Sequence, residues 1–174
     1  MDWLRSYRPD LVERVLHDLS AVHIREKLKI MLQMAAVLTY GAYGGRFVPE
    51  TLIPALDEED TIGLLLYKIR EVMKDVRREY LAIVLDDGSR DETGKVAEHY
   101  RRFLPVKVLR HAETRGLGAA LDRLVREAVR MSRYPERDIA VVLEADFSVS
   151  PDAVPAMVKE IEAGADIVIG ARTH

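Results

Sequence analysis

Two acidic clusters are the residues of this sequence best suited to chemistry. Asp86 and Asp87 follow one apolar, strand-like run, and Glu144 and Asp146 follow another. In an open α/β sheet the ligand crevice lies at the carboxyl ends of the strands. Carboxylates placed there suit a hard divalent cation and the hydroxyls or ring nitrogens of a nucleotide. The clusters therefore predict a nucleotide-sugar site, of which this chain carries all or part.

The second cluster is the candidate metal site. Alternate residues of an extended chain point the same way, so Glu144 and Asp146 can face one ion, with Ser148 next in register. Such a set suits an octahedral Mg²⁺ or Mn²⁺ that bridges a pyrophosphate. Acid-x-acid triplets are also common on protein surfaces, and the position directly after a buried strand is what favours a metal here.

The first cluster combines a turn, helix caps and candidate ligands. Gly88 permits a tight turn, and Ser89 and Asp91 are typical capping residues for the helix that follows. Capping does not account for two adjacent carboxylates at a strand end, where burying a charge is costly without a partner. We therefore expect Asp86 or Asp87 to bind a ligand.

Two further segments each allow two interpretations. The acidic side chains of residues 54–59 either cap the following helix or meet a ligand. Arg115 and Gly116 begin a stretch that resembles a phosphate loop, although it lacks the Lys-Ser/Thr ending of a P-loop. Its N–H groups could bind an anion, or its small side chains could let a helix pack closely on the sheet.

The acidic segments recur along a regular alternation of strands and helices. This alternation predicts an α/β fold, a Rossmann-like and mostly parallel sheet with helices on both faces. The predicted strands are residues 47–54, 80–85, 106–109, 139–143 and 166–169, and the predicted helices are residues 61–78, 92–103, 117–131 and 151–163.

The composition changes near Gly44 and Gly45. Residues 1–45 have apolar residues at helical spacing and are predicted to be a helical N-terminal extension. Residues 46–174 are predicted to be a nucleotide-sugar-binding domain. The extension is interpreted either as a packing element, through which two copies could form a homo-oligomer, or as an amphipathic surface for peripheral membrane contact.

Composition excludes several classes of protein. The 174 residues are 48% hydrophobic and 32% charged, which is typical of a folded soluble domain. A net charge of -3 argues against nucleic-acid binding, and the lack of cysteine excludes disulfides, thiolate catalysis and cysteine-ligated zinc. No signal peptide or spanning segment is recognised, so a cytoplasmic location is expected. The absence of asparagine and the single glutamine fit either a thermophile or an arginine-biased genome.

Five motifs, taken in order, resemble a family-two glycosyltransferase with the A-type nucleotide-binding fold. Within that family the sequence is most similar to polyprenyl (dolichyl) phosphate mannose synthases and related glucosyltransferases. The matching stretches are IPALDEEDTI (53–62), VLDDGSRDET (84–93), RGLGAAL (115–121), EADFSVSPDAVPAMV (144–158) and GADIVIGAR (164–172).

The resemblance implies a metal-dependent enzyme that transfers a hexose from a GDP- or UDP-linked sugar to a polyprenyl phosphate, with inversion. It implies Mg²⁺ or Mn²⁺ held by Glu144, Asp146 and Ser148, with Asp146 and Arg172 as catalytic residues. The residues that it implies for binding the nucleotide sugar are Pro54, Ala55, Asp57, Glu58, Asp86, Asp87, Ser89, Arg115 and Gly116.

Three features depart from the family pattern. Glu144 stands where Asp is usual, Asp57 stands where Asn is usual, and the sequence ends at His174, before the segments that shape the acceptor site. The alternative interpretation is a non-catalytic nucleotide-sugar-binding or regulatory module with a degenerate or truncated site. A nucleotidyltransferase on a similar sheet would show a glycine- and arginine-rich loop after the first strand, which residues 54–59 lack.

Overall fold

The computed structural model describes residues 49–76, 79–132 and 138–170. The predicted N-terminal extension and Arg172 lie outside these residues. The strands are β1 (Pro49–Ala55), β2 (Leu81–Asp86), β3 (Val106–Arg110) and β4 (Ile139–Val142). The helices are α1 (Glu59–Val76), α2 (Thr93–His99), α3 (Leu117–Met131) and α4 (Val154–Glu162), with short 3₁₀ turns at Tyr100–Arg102 and Pro151–Ala153.

The four strands form one parallel sheet in the order β3-β2-β1-β4. Each of the first three strands is followed by a helix that crosses back over the sheet to the next strand, which is the connection that parallel strands require. The predicted parallel α/β sheet is therefore confirmed. All four strands also place their carboxyl ends at the same edge, where the acidic segments follow them.

Helices cover both faces of the sheet. Ala82 and Val84 of β2 belong to the main apolar core, together with buried residues of α1, α2 and α4. Ile83 and Leu85 alternate to the opposite face, where α3 packs over β1 and β2. The buried residues of α3 recur at helical spacing and are Ala120, Leu121, Leu124, Val125 and Ala128.

The predicted fifth strand is wrong, because residues 166–169 form no strand. A short apolar run does not by itself specify a strand, since a strand also needs a neighbour that completes its hydrogen-bond ladder. Ile167, Val168 and Ile169 are half-buried instead, and Val168 packs against the main core.

None of the described helices is both long and apolar enough to cross a bilayer.

Candidate functional site

The loops after the four strands begin at one edge of the sheet. Ala55 pairs with Asp86, and Asp86 pairs with Arg110, at the ends of the first three strands. Just past β4, the Leu143 N–H donates to the Leu52 carbonyl at 3.0 Å. The loops are the β1–α1 loop (56–58), the β2–α2 loop (87–92), the β3–α3 loop (111–116) and the β4–α4 segment (143–153).

Asp86 and Asp87 point to opposite faces of the sheet. Side chains alternate along an extended chain, so Asp86 continues the face of Val84, which carries α2, and Asp87 continues the face that carries α3. Both are buried, with exposed fractions of 0% and 3%. Each carboxylate consequently contacts the segment that begins the helix on its own face.

Asp86 is held against the start of α2. Its Oδ1 accepts from the Ser89 N–H at 2.8 Å. Its Oδ2 lies 3.4 Å from Arg110 Nε, within ion-pair distance but without a hydrogen bond. A Cβ atom on Gly94 would lie 2.5 Å from the same oxygen. The close approach of α2 to this carboxylate therefore requires glycine at position 94.

Asp87 is held against the start of α3. Its Oδ1 lies 2.5 Å from His111 Nδ1 and accepts from the Arg115 N–H at 3.0 Å, and its Oδ2 accepts from the Gly116 N–H at 2.7 Å. Burial by itself raises the pKa of Asp87, but the hydrogen bonds from His111, Arg115 and Gly116 outweigh it and lower the pKa.

Asp87 is therefore a carboxylate at neutral pH whose oxygens already have partners inside the protein. One of the two interpretations of this stretch was that its N–H groups bind an anion, and those of Arg115 and Gly116 donate to this carboxylate. Internal bonds thus account for both oxygens of Asp87 and for Oδ1 of Asp86, whereas the buried Oδ2 of Asp86 has no hydrogen bond and only Arg110 within ion-pair distance. A direct ligand role for either residue stays a prediction.

Asp57 and Ser89 join the β1–α1 and β2–α2 loops. Ser89 Oγ accepts from the Asp57 N–H at 3.1 Å, and Asp57 Oδ1 accepts from the Arg90 N–H at 2.8 Å. The φ angle of Asp57 is +54°, a left-handed conformation that Asp adopts more readily than most residues. Two residues predicted to bind nucleotide are thus used to fix one loop to the other.

The starts of α1 and α2 cap each other across these loops. Thr93 Oγ1 accepts from the Glu58 N–H at 2.7 Å, and Asp91 Oδ2 accepts from the Glu59 N–H at 3.1 Å. In return, Glu59 Oε2 accepts from the Glu92 N–H at 2.9 Å. These N–H groups would otherwise lack partners at the helix ends. Glu59 therefore caps a helix, but that helix is α2, and the acceptors for the N–H groups at the start of α1 come from Thr93 and Asp91.

Thr93→Val is expected to lower the free energy of unfolding by about 1–2 kcal/mol, because it deprives a part-buried N–H of its acceptor. Valine keeps the shape of the fully buried Thr93 side chain but cannot accept from Glu58. Urea unfolding followed by circular dichroism measures the change. Thr93→Ser keeps the hydroxyl and removes only a buried methyl group, so it measures the packing of that group. A loss near zero in Thr93→Val would show that the hydrogen bond contributes nothing.

The predicted metal ligands meet through a turn. β4 ends at Val142, so the predicted alternation of side chains along an extended chain is wrong for this segment. The chain instead turns, and Phe147 has a φ of +61°. Ser148 Oγ donates to Glu144 Oε2 at 2.5 Å, and the Ser148 N–H donates to Asp146 Oδ1 at 2.7 Å. Ser148 thereby links the two carboxylates.

Glu144 and Asp146 suit a metal site in which a bound phosphate supplies further ligands. Among the described residues, no three His, Asp or Glu side chains are placed to hold a metal by themselves. Mg²⁺, however, is usually bound through one or two carboxylates together with substrate phosphates and waters. Glu144 is half-buried and Asp146 is exposed, so the pair suits a cation shared with a diphosphate.

The remaining predicted site residues occupy varied positions. Pro54 and Ala55 are buried at the end of β1, and Arg115 is exposed. The Glu58 carboxylate accepts a short hydrogen bond from the Thr61 hydroxyl. The sequence interpretation missed the role of His111, although this residue directly follows β3 at the edge that was already suspected.

The Glycosyl transferase family 2 model matches residues 51–174. The chain belongs to this family. Its curated relatives include the dolichol-phosphate mannosyltransferase of Pyrococcus furiosus, which is 31% identical over 121 residues, covering 70% of this chain and 32% of the relative. The polyprenol monophosphomannose synthase of Mycolicibacterium smegmatis is 28% identical over 123 residues, covering 70% of this chain and 43% of the relative.

Two solved structures share the fold. Glucosyl-3-phosphoglycerate synthase from Mycobacterium tuberculosis, solved with Mn²⁺, UDP and glucosyl-3-phosphoglycerate, matches with a TM-score of 0.51 and 26% identity, over 73% of this chain and 47% of that one. S. aureus TarS 1–349, solved with UDP, matches with a TM-score of 0.54 and 20% identity, over 67% of this chain and 32% of that one, which shows the fold alone. The chain thus spans less than half the length of each relative named here.

Proposed function

We propose that this family-2 chain binds a nucleoside-diphosphate sugar at the carboxyl edge of its sheet and serves hexose transfer to a polyprenyl phosphate. The observation that carries this proposal is the meeting of Glu144 and Asp146 through Ser148, at the same edge of the sheet as three loops that are joined to one another. A site assembled in this way loses little conformational entropy when a ligand binds.

Glu144 and Asp146 would hold the divalent cation, Mg²⁺ or Mn²⁺. The cation supplies charge neutralisation for the departing nucleoside diphosphate. Ser148 keeps both carboxylates oriented by donating to each of them. Asp57 and Ser89 hold the two neighbouring loops in place, and Pro54, Ala55 and Glu58 would form one wall of the nucleotide pocket.

The relatives support the choice of donor and acceptor. The Mycobacterium tuberculosis structure holds UDP and Mn²⁺, and two curated relatives are named for mannose transfer to dolichol phosphate or polyprenol. A single displacement at the anomeric carbon, with inversion, is the reaction proposed. Exposed Arg115 would contribute positive charge beside the donor, and Arg172 is proposed to meet a phosphate of the donor or the acceptor.

Calorimetric titration with GDP-mannose and UDP-glucose, with and without Mn²⁺, tests the donor site. We expect one donor to bind in a Mn²⁺-dependent way. Asp146→Ala should weaken that binding by about 100-fold or more, since even outer-shell changes at metal sites cost about 10–100-fold. The same protein should transfer label from that donor to a polyprenyl phosphate.

Asp152→Ala is the matched control. Asp152 is exposed in the 3₁₀ turn that follows the site and pairs with Lys68, so its loss removes a nearby carboxylate without touching the proposed metal ligands. Donor binding should stay unchanged in this variant. If the folded wild-type protein bound neither donor, or if both variants lost binding equally, the proposed metal-dependent donor site would be refuted.

A further inference from the structure

His111 is a buried histidine that directly follows β3, at the carboxyl ends of β2 and β3. Its backbone N–H donates to the Asp86 carbonyl at 2.9 Å, one residue beyond the pair that Asp86 forms with Arg110. Its side chain is 3% exposed. The imidazole Nδ1 lies 2.5 Å from Asp87 Oδ1. A carboxylate only accepts hydrogen bonds, so Nδ1 carries the proton and donates it.

This hydrogen bond sets the orientation of the Asp87 carboxylate. The terminal torsion of an aspartate is broad and has no sharp preference of its own. Because His111 engages Oδ1, Oδ2 is directed to the Gly116 N–H at 2.7 Å, while the Arg115 N–H lies 3.0 Å from Oδ1 and 3.2 Å from Oδ2. His111 thus acts on the start of α3 through Asp87, without contacting Arg115 or Gly116 by a hydrogen bond of its own.

The same loop is held from a second side. Gly88 lies so close to the β3–α3 loop that a Cβ atom there would be 2.6 Å from the Glu113 carbonyl carbon and the Thr114 nitrogen. The loop is therefore fixed near its middle by packing on Gly88 and at its end by Asp87. The exposed Arg115 side chain extends from a loop whose backbone has little freedom.

We propose that His111 is a positioning residue for the nucleotide-sugar site, acting through Asp87 to fix the backbone of Arg115 and Gly116. This inference rests on the proposed function, because it concerns the loop that borders the proposed donor pocket. His111 is buried and contacts Asp87, so it orients the loop and does not itself touch the donor.

Two amide variants separate this role from simple packing. The side-chain nitrogen of asparagine can occupy the place of Nδ1, whereas that of glutamine reaches the place of Nε2. His111→Asn should therefore keep the bond to Asp87, and His111→Gln should lose it. Hydrogen exchange at the Arg115 and Gly116 amides reports on the loop, and calorimetry with GDP-mannose and UDP-glucose in Mn²⁺ reports on the donor site.

In His111→Gln we expect both amides to exchange about tenfold faster and donor binding to weaken about tenfold, as for the loss of a hydrogen bond to a charged group. In His111→Asn both quantities should stay near the wild-type values. Equal behaviour of the two variants would overturn the proposal, as would a loosened loop with unchanged donor affinity.

Two measurements test the inference independently of the proposed function. If wild type bound neither donor, the proposed function would fail, and the exchange rates of the two variants would still decide whether His111 holds the loop. If His111→Gln did not fold, ¹H–¹⁵N NMR of wild type would decide. A slowly exchanging, downfield Nδ1 proton supports the bond to Asp87, and its absence overturns it.

Discussion

Gly88→Ala is expected to lower the free energy of unfolding by about 2–4 kcal/mol, of which the left-handed conformation accounts for about 1–2 kcal/mol. The φ angle of Gly88 is +76°, and a Cβ atom there would lie 2.6 Å from backbone atoms of Glu113 and Thr114. Backbone atoms cannot rotate away as the end of a side chain can, so the β3–α3 loop must move. Urea unfolding followed by circular dichroism measures the loss.

Gly118→Ala is the matched control and should have the opposite sign. A Cβ atom at Gly118 would meet no heavy atom within 4 Å, and the residue lies in the first turn of α3. Replacing a helical glycine by alanine stabilises by roughly 0.5–1 kcal/mol. Faster amide exchange at Glu113 and Thr114 should accompany Gly88→Ala only. If Gly88→Ala lowered the free energy of unfolding no more than an ordinary surface substitution does, the β3–α3 loop would not press on Gly88.

The architecture could be predicted because its signals are local. The helix predicted over residues 117–131 begins and ends as observed, since its apolar residues recur at helical spacing and glycines precede them. The four paired strands were predicted within one residue or two at every end that the structure describes. Parallel strands covered on both faces are near-continuously apolar, and that pattern is readable without any knowledge of partners.

The details of the site could not be predicted because their causes are tertiary. Alternation along a strand separates Asp86 from Asp87, but their partners come from other loops, Arg110 and His111 among them. The sequence gives no sign that the Gly116 N–H faces a carboxylate of its own chain. Similarly, the acid-x-acid spacing identified Glu144 and Asp146. The turn that joins them through Ser148 depends on where β4 ends its pairing with β1, which the spacing does not indicate.

The internal bonds also change how the departures from the family pattern are understood. Asp57, at a position where the family resemblance implies asparagine, donates its backbone N–H to Ser89 Oγ and accepts from the Arg90 N–H through its carboxylate. Its negative charge is thus directed to a backbone donor of the neighbouring loop. A carboxylate at this position consequently serves the joining of two loops, and it does not by itself argue for a degenerate site.

A buried glutamate at the opposite edge of the sheet makes stability depend on pH. Glu50 of β1 is 6% exposed. Burial, followed by the negative charges of Asp138 and Glu127, raises the pKa of Glu50 from 4.5 to about 7. Arg130 and Lys107 pair with Glu127, and their hydrogen bonds lower the pKa of Glu127 to about 2. Glu127 therefore stays negative and disfavours ionisation of Glu50.

The sign of the effect follows from proton counting. Below pH 4.5 Glu50 is protonated in both the folded and the unfolded chain, and its burial carries no charge penalty. Between pH 4.5 and about 7 the unfolded chain releases this proton while the folded chain keeps it, so stability falls as pH rises. The full shift corresponds to a loss of about 3 kcal/mol at most, and we expect about 2 kcal/mol because relaxation and water penetration lower the effective penalty for a buried charge.

Glu50→Gln should remove this loss. The variant and wild type are expected to unfold with similar free energies at pH 4.5, and the variant should be more stable by about 2 kcal/mol at pH 8. Urea unfolding at half-unit steps between these pH values measures the difference. Glu160→Gln, which changes an exposed glutamate of α4, is the matched control for removing a carboxylate. A Glu50→Gln difference that stayed constant from pH 4.5 to 8 would mean that Glu50 ionises in the folded protein as readily as in the unfolded chain.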